Sequence, residues 1–180
     1  EMLDDEELIH SQYDVLAGRW PEKYNEVILV LSEPNGITDM LVYGLGLRDN
    51  NELISMIRDI MDGKKVEDKN EPMKFTYQNL LDIELKLVDA SDLYKYNDKY
   101  DLYEDMSDDD AYMKDVISNS VDLDIVGIVC LKEGVSSGSL MSGVAYSNDL
   151  TEHVIKTASE SELVKKQLAN EDINIFSGKR

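Results

Sequence analysis

The chain has 180 residues, of which 42% are hydrophobic, so it is long and apolar enough to bury a core and is not a disordered acidic tail. Its 38 acidic and 18 basic residues give a formal net charge of −20, and the excess is similar in both halves of the chain. A charge of this sign repels phosphates and therefore disfavours nucleic acid and anionic lipid head groups as partners.

A single cysteine, Cys130, excludes an intramolecular disulfide, and its place in the apolar run Ile125–Leu131 predicts a small buried hydrophobe. No apolar run approaches the roughly 20 residues that a membrane helix needs, and no signal peptide is visible. Any membrane segment is therefore expected outside these residues.

The first sixty residues predict a helix, a turn region, a strand and two more helices. Residues 1–11 favour a short helix packed through Leu3, Leu8 and Ile9. Gly18 and Pro21 then indicate a turn.

The continuous apolar run Val27–Leu31 indicates a strand covered on both faces, and Pro34-Asn35-Gly36 ends it. Thr38 or Asp39 is expected to cap a short helix that stops at Gly46.

Helical spacing is clearest over Asn50–Met61, where Asn50 or Asn51 is expected to cap the start and Gly63 to stop the helix. Lys64–Pro72 predicts a polar loop, and Phe75–Leu81 predicts a single helical turn. A half-buried strand is expected to follow, since apolar and polar residues alternate there (Ile83, Leu85, Leu87).

The second half opens with the tyrosine- and acid-rich stretch Ser91–Asp110. Ser107 is expected to cap a helix that runs to about Ser120. A strong strand over Leu123–Leu131 and a Gly/Ser loop over Gly134–Gly143 follow.

Near the end, Ser147 or Asn148 is expected to cap a helix through Lys156, and Ser159 or Ser161 another through Ala169. Ile173–Phe176 is predicted to close the fold as a strand.

Strands separated by helices predict an α+β fold, a mixed β-sheet with helices packed on it. We expect a single domain over residues 1–180. Residues 12–62 and 121–180 would form its main sheet-and-helix core, and residues 64–120 an inserted, smaller, loop-rich subdomain rich in Tyr and Asp.

Catalytic, cofactor and metal signatures are missing from the sequence. His10 and His153 have no neighbour at a metal-ligand spacing, and the serines of the Gly/Ser loop lie in no nucleophile motif. Gly44-x-Gly46 lacks the Lys-Ser/Thr of a phosphate loop and is expected at a helix end. We therefore predict a protein that is not an enzyme, with no catalytic, cofactor-binding or metal-binding residue.

Three segments carry a resemblance to a known family. They are YDVLAGRWPEKYNEVIL (residues 13–29), LDIVGIVCLKEG (residues 123–134), and GVAYSNDLTEHVI (residues 143–155) together with the following SESELVKKQLANEDINIFSGK. This set resembles the extracellular domain of MacB/FtsX-like ABC transporter permeases of Gram-positive bacteria, where an "LxGRxP...NEVVL" phrase lies where the outer domain re-enters its sheet.

The resemblance implies a MacB-like outer domain at the extracellular face of the cell membrane, between the first and second of four membrane helices. Its expected partners are an ABC ATPase subunit or domain, a second permease copy and an unknown extracellular substrate or protein. Such a domain does no covalent chemistry and moves when ATP is hydrolysed in the cytoplasm. The first residues depart from the family's opening strand and helix, so the chain is expected to begin within that domain or to lack its first subdomain.

The acid- and tyrosine-rich stretch supports an alternative function, a surface-exposed binding module for a cationic peptide, a glycan or Ca²⁺. The candidate partner-binding residues are Tyr96, Tyr100, Tyr103, Asp101 and Asp105. The competing interpretation is that the tyrosine rings anchor a subdomain poor in aliphatic residues, and that the acids are a solvated loop and a helix start.

Overall fold

Helices and strands are mixed along the chain in a computed structural model. The structure describes residues 1–2, 5–34, 36–64 and 75–180. Asp39, Met40 and Asn50 are described by their backbone alone. The protein is α+β, with a mixed sheet and helices, as predicted. Its elements, in chain order, are α1 (Glu6–Gln12), β1 (Tyr13–Gly18), β2 (Glu26–Leu31), α2 (Asp39–Gly44), α3 (Asn50–Met61), α4 (Tyr77–Leu81), β3 (Glu84–Leu87), a 3₁₀ turn (Ala90–Leu93), β4 (Tyr94–Asn97), β5 (Leu102–Asp105), α5 (Asp110–Asn119), β6 (Val121–Leu131), β7 (Gly143–Tyr146), α6 (Asn148–Glu160) and α7 (Glu162–Ala169).

The chain divides into two compact units, which are described separately below. The first comprises Glu1–Pro21, Val27–Ile83 and Ile125–Tyr146, and the second comprises Glu22–Glu26, Glu84–Asp124 and Ser147–Arg180. The predicted domain organisation stays a prediction. It places the core over residues 12–62 and 121–180 and the inserted subdomain over residues 64–120.

The sheet of the first unit has the strand order β1-β6-β2-β7. β1 pairs antiparallel with β6, with Tyr13 opposite Leu131, and a bulge lies between Val15 and Ala17. β7 pairs antiparallel with β2, with Ala145 opposite Ile28. The remaining neighbours, β6 and β2, provide the parallel pairing that makes the sheet mixed.

The core of the first unit lies on β2 and the second half of β6. All six residues of β2 are buried, which confirms the prediction of a strand covered on both faces. Cys130 of β6 is also buried, as predicted. One cluster of buried side chains joins β1, β2, β6 and β7 to α1 and to the loop before β7 (Ile9, Tyr13, Ile28, Val30, Val129, Leu140, Ala145).

Two facing glycines allow β1 and β6 to approach closely. Gly18 lies opposite Gly127 and has a φ of +72°. A Cβ on Gly18 would lie 2.1 Å from the Val126 carbonyl oxygen, and a Cβ on Gly127 would lie 2.1 Å from the Arg19 carbonyl oxygen. The Arg19 N–H donates to the Val126 carbonyl oxygen at 2.9 Å. Only glycine fits either position without moving the backbone.

The second unit contains two antiparallel pairings. β3 pairs with the first four residues of β6, with Leu85 opposite Leu123, so the predicted half-buried strand is confirmed. β4 and β5 form a hairpin. The helices α5, α6 and α7 also belong to this unit.

Most predicted helices are present, and some of their caps differ from the prediction. Thr38 caps α2, and Ser161 caps α7, as expected. Asp49, and not Asn50 or Asn51, caps α3. Asp109, and not Ser107, caps α5, because its carboxylate accepts the N–H groups of the first helical turn.

Four strands lie where the sequence analysis predicted no strand. β1 was predicted as part of a turn, and β4, β5 and β7 as loop or unassigned sequence. β1 carries a bulge and exposed residues near its start, and the other three have four residues each, so none shows a regular alternation.

The predicted closing strand Ile173–Phe176 is wrong, because these residues form turns. The Asn174 side-chain oxygen accepts the N–H groups of Phe176 and Ser177 at 2.9 and 3.0 Å, and this local bonding competes with strand pairing. Leu3, Asn35 and most of the predicted loop Lys64–Pro72 lie outside the described residues. Within the described part of the chain, no helix combines the length and the apolarity needed to cross a membrane.

Candidate functional site

The β4–β5 hairpin brings together three of the five predicted partner-binding residues. Tyr96 lies opposite Tyr103 in the register, and their ring centroids are 5.3 Å apart. Asp101 ends the connecting turn with a φ of +55°, the left-handed region that aspartate tolerates better than most residues. We call Tyr96, Asp101, Tyr103 and the adjoining Lys166 the hairpin site.

Lys166 completes the hairpin site from helix α7. The Tyr96 hydroxyl and the Lys166 ammonium both donate to Oδ1 of Asp101. The same ammonium lies 3.8 Å from the centroid of the Tyr96 ring, a cation–π distance. One positive group therefore contacts both a carboxylate and an aromatic face.

The charges of the hairpin site reinforce each other. The hydrogen bond from Lys166, followed by that from Tyr96, holds the pKa of Asp101 below its ordinary value. The hydrogen bond to Asp101 raises the pKa of Lys166. Both shifts favour the charged forms, so carboxylate and ammonium are both ionised at neutral pH.

The segment around α7 is attached to the hairpin by further contacts. The Tyr103 N–H donates to the Ile175 carbonyl oxygen at 2.9 Å, and Ile175 is buried. The side-chain N–H of Gln167 donates to the Ile173 carbonyl oxygen at 3.0 Å, and its side-chain oxygen accepts the Ile175 N–H at 3.2 Å. These bonds connect α7, the helix that carries Lys166, to the hairpin through residues 173–175.

The other two predicted residues have different neighbours. Tyr100 is 58% exposed, and the Lys99 ammonium lies 4.9 Å from its ring centroid. Asp105 accepts hydrogen bonds from the Ser107 hydroxyl and N–H, which lower its pKa. Asp105 therefore shapes the turn before α5.

Two further tyrosines serve as anchors. The Tyr112 hydroxyl donates to the carbonyl oxygens of Asp92 and Tyr94 at 3.0 and 3.3 Å, and burial raises the pKa of Tyr112. The Tyr94 ring lies 4.8 Å from the ring of Phe176. For these two rings the contacts favour the anchoring interpretation.

Lys166 is the member of the hairpin site that sequence reasoning missed. It lies 65 positions after Asp101, and no spacing rule connects a helical lysine to a distant turn. In the local sequence Lys166 is one of two adjacent helical lysines. The other, Lys165, forms an ion pair with Glu162, three residues earlier on the same helix.

Calcium would need several oxygen ligands at one point. Among residues 1–2, 5–34, 36–64 and 75–180, no group of three His, Cys, Asp or Glu side chains is arranged to hold a metal ion.

A second candidate is an open groove of about 780 Å³ in the second unit, which we call the His153 groove. α6 contributes one helical stripe, and the turn before β2 contributes the opposite wall (Glu22, Lys23, Tyr24, Asn25, Asp149, Glu152, His153, Lys156). The His153 imidazole stacks on the Tyr24 ring at 4.2 Å. The stacking on Tyr24 is a packing contact of His153.

Two buried polar atoms of the second unit lack a hydrogen-bond partner, Asp89 Oδ1 and Ser147 Oγ. Burial raises the pKa of Asp89, Asp92 raises it further, and the charge of His153 opposes both. Among the described residues, no hydroxyl or thiol donates a hydrogen bond to the imidazole of His153 or His10.

No protein-family model, curated protein or solved structure matches the chain.

Proposed function

We propose that the chain is the extracellular domain of a MacB/FtsX-like ABC transporter permease. In this role it is not catalytic, and it couples ATP hydrolysis in the cytoplasm to the handling of a substrate or partner protein outside the membrane. An ABC ATPase subunit or domain and a second permease copy are its proposed partners.

The observation that carries the proposal is the contact between two of the segments that resemble the family. Gly18 of the first segment lies opposite Gly127 of the second, and neither position has room for a Cβ. The family phrase is expected where the outer domain re-enters its sheet. Here Gly18 ends β1, and β2 begins eight residues later at Glu26.

Glu26, in the same segment, also has a defined contact set. Its buried carboxylate accepts the N–H groups of Glu22 and Lys23 at 2.8 and 3.3 Å and lies 3.9 Å from the Lys23 ammonium. The turn that leads into β2 therefore depends on this carboxylate. Gly18, Gly127 and Glu26, three residues of the resembling segments, therefore have structural roles in this chain, which supports the proposal.

The parent polypeptide gives the first test. We expect an apolar helix of about 20 residues before residue 1 and another after residue 180. We also expect an ABC ATPase encoded within the same gene or beside it. A parent with neither the helices nor the ATPase contradicts the proposal.

The membrane protein gives the second test. The variant replaces Gly18–Lys179 with a short Gly/Ser linker, and the purified parent complex is studied in lipid nanodiscs. We expect it to keep its basal ATP hydrolysis and to lose the handling of its substrate or partner protein outside the membrane. As a control, the isolated chain should neither bind nor hydrolyse ATP. ATP turnover by the isolated chain contradicts the assignment of a non-catalytic role.

A further inference from the structure

We propose that Tyr96 and Asp101 form a binding site for a primary alkylammonium group, and that Lys166 occupies this site as an internal ligand. The external ligand would be the lysine side chain of a basic peptide or a polyamine, since both present the same group. This inference does not depend on the permease proposal.

The geometry matches what an alkylammonium group needs. The Lys166 ammonium contacts a carboxylate oxygen on one side and the face of an aromatic ring, 3.8 Å from its centroid, on the other. The Tyr96 hydroxyl donates to the same carboxylate oxygen and so fixes its position relative to the ring. Tyr103 packs beside Tyr96, with the two ring centroids 5.3 Å apart.

The site is accessible from solvent. The Asp101 side chain is 75% exposed, and the Lys166 side chain is 33% exposed. Exposed ion pairs contribute little net stability, because water solvates both charges when they separate. An external ammonium can therefore displace Lys166 without opening a buried contact.

The surrounding charge favours a ligand with several positive groups. The stretch from Tyr94 to Asp105 has four acidic residues and two lysines. The chain as a whole has a net charge of −20. This field raises the local concentration of polycations and lowers that of anions.

The decisive comparison uses two neighbouring lysines of α7. Lys166→Met removes the internal ammonium and nearly keeps the length of the side chain, whereas Lys165→Met removes the same charge from a lysine paired with Glu162. Each variant is titrated with acetyl-Lys-Lys-Lys-amide and with spermidine, and the amide resonances of Tyr96, Asp101 and Tyr103 are followed by NMR.

We expect Lys166→Met to bind at least one of these probes about fivefold or more tightly than Lys165→Met and the unmodified chain do. Adding Asp101→Asn to Lys166→Met should abolish the gain. A gain with the tripeptide alone identifies a peptide ligand, and a gain with spermidine alone identifies a polyamine. Equal binding by the two lysine variants overturns the proposal and leaves Lys166 with a structural role only.

A second measurement on the unmodified chain covers the case in which Lys166→Met does not fold. The ring current of Tyr96 should shift the Lys166 Hε resonances upfield. Saturating tripeptide or spermidine should move them to the values of a free lysine, with the Lys165 resonances as the control. Hε resonances that stay upfield at saturation contradict displacement.

Discussion

At the scale of single residues, the Tyr13 hydroxyl fixes the loop that precedes β7. It donates to the Leu140 carbonyl oxygen at 3.1 Å and accepts the Leu140 N–H at 2.7 Å, and Tyr13 is 2% exposed. A Cβ on Gly138 would lie 2.0 Å from the same hydroxyl, so the loop requires glycine at this contact. One side chain therefore orders a loop whose small residues suggest flexibility.

Replacing Tyr13 with phenylalanine tests this role. The change leaves the buried N–H and C=O groups of Leu140 without their partner, so we expect a loss of about 1–3 kcal/mol in the free energy of unfolding. Urea unfolding followed by circular dichroism measures it. Tyr100→Phe, at a 58% exposed ring, is the control and should change stability little. Equal stabilities of the two variants would contradict this role of the Tyr13 hydroxyl.

A second residue-scale prediction concerns Asp89, whose pKa is raised because its carboxyl is partly buried and because the charge of Asp92 acts on it. In the folded state it holds its proton to higher pH than in the unfolded state. Stability due to this group therefore falls as pH rises from its ordinary value of 3.8 through the raised pKa. Asp89→Asn cannot ionise and should lack this fall.

Unfolding by urea at a series of pH values between about 3.5 and about 7 measures the difference between the two chains. We expect the stability of Asp89→Asn relative to the unmodified chain to increase across this range. Asp98→Asn, at an exposed position, is the control for removing one carboxylate. A difference that is constant with pH would contradict the assignment.

At the scale of elements, the strands that hold the sheet together are those with long apolar runs. β2 is buried over its whole length, and β6 is buried from Gly127 to Cys130. A strand made of consecutive apolar residues is most stable at the centre of a sheet, because there both of its faces are shielded from water. The short strands β4, β5 and β7 instead depend on hydrogen bonds to the strands with which they pair.

The pairing of β1 with β6 leaves no room for a Cβ where Gly18 lies opposite Gly127. Gly127→Ala would place a Cβ 2.1 Å from the Arg19 carbonyl oxygen, so the two strands must separate or shift register. We expect a loss of about 2–4 kcal/mol in the free energy of unfolding, within the range of severe core substitutions. Thermal and urea unfolding both measure this loss.

Gly44→Ala is the matched control, because nothing lies within 4 Å of its Cβ position and it ends a helix. It should be neutral or more stable by less than about 1 kcal/mol. If Gly127→Ala is as stable as Gly44→Ala, the close approach of the two strands is not required for folding.

At the scale of the whole molecule, the net charge of −20 is the dominant long-range term. Like charges on a folded chain repel each other, and salt screens them over about 10 Å at 0.1 M and about 3 Å at 1 M. The ion pairs of Lys86 with Asp122 and of Lys166 with Asp101 lie at the surface and lose little when screened.

We therefore expect the melting temperature to rise by a few degrees between about 0.02 and about 0.5 M NaCl. Differential scanning calorimetry measures it. A variant with Asp98→Asn and Asp108→Asn, two exposed positions, has less repulsion and should show a smaller rise. A melting temperature that falls with salt would show that attractive pairs outweigh the repulsion.

The sequence by itself determined the α+β class, the buried strand over Val27–Leu31, the helix over Asn50–Met61 and the burial of Cys130. Each depends on a local pattern of apolar residues that has one favourable conformation in water. The tertiary structure decided the edge strands β1 and β7 and the joining of Lys166 to Tyr96 and Asp101. These features depend on contacts between residues far apart in the chain, where the partner supplies the stabilisation and leaves no signal in the local sequence.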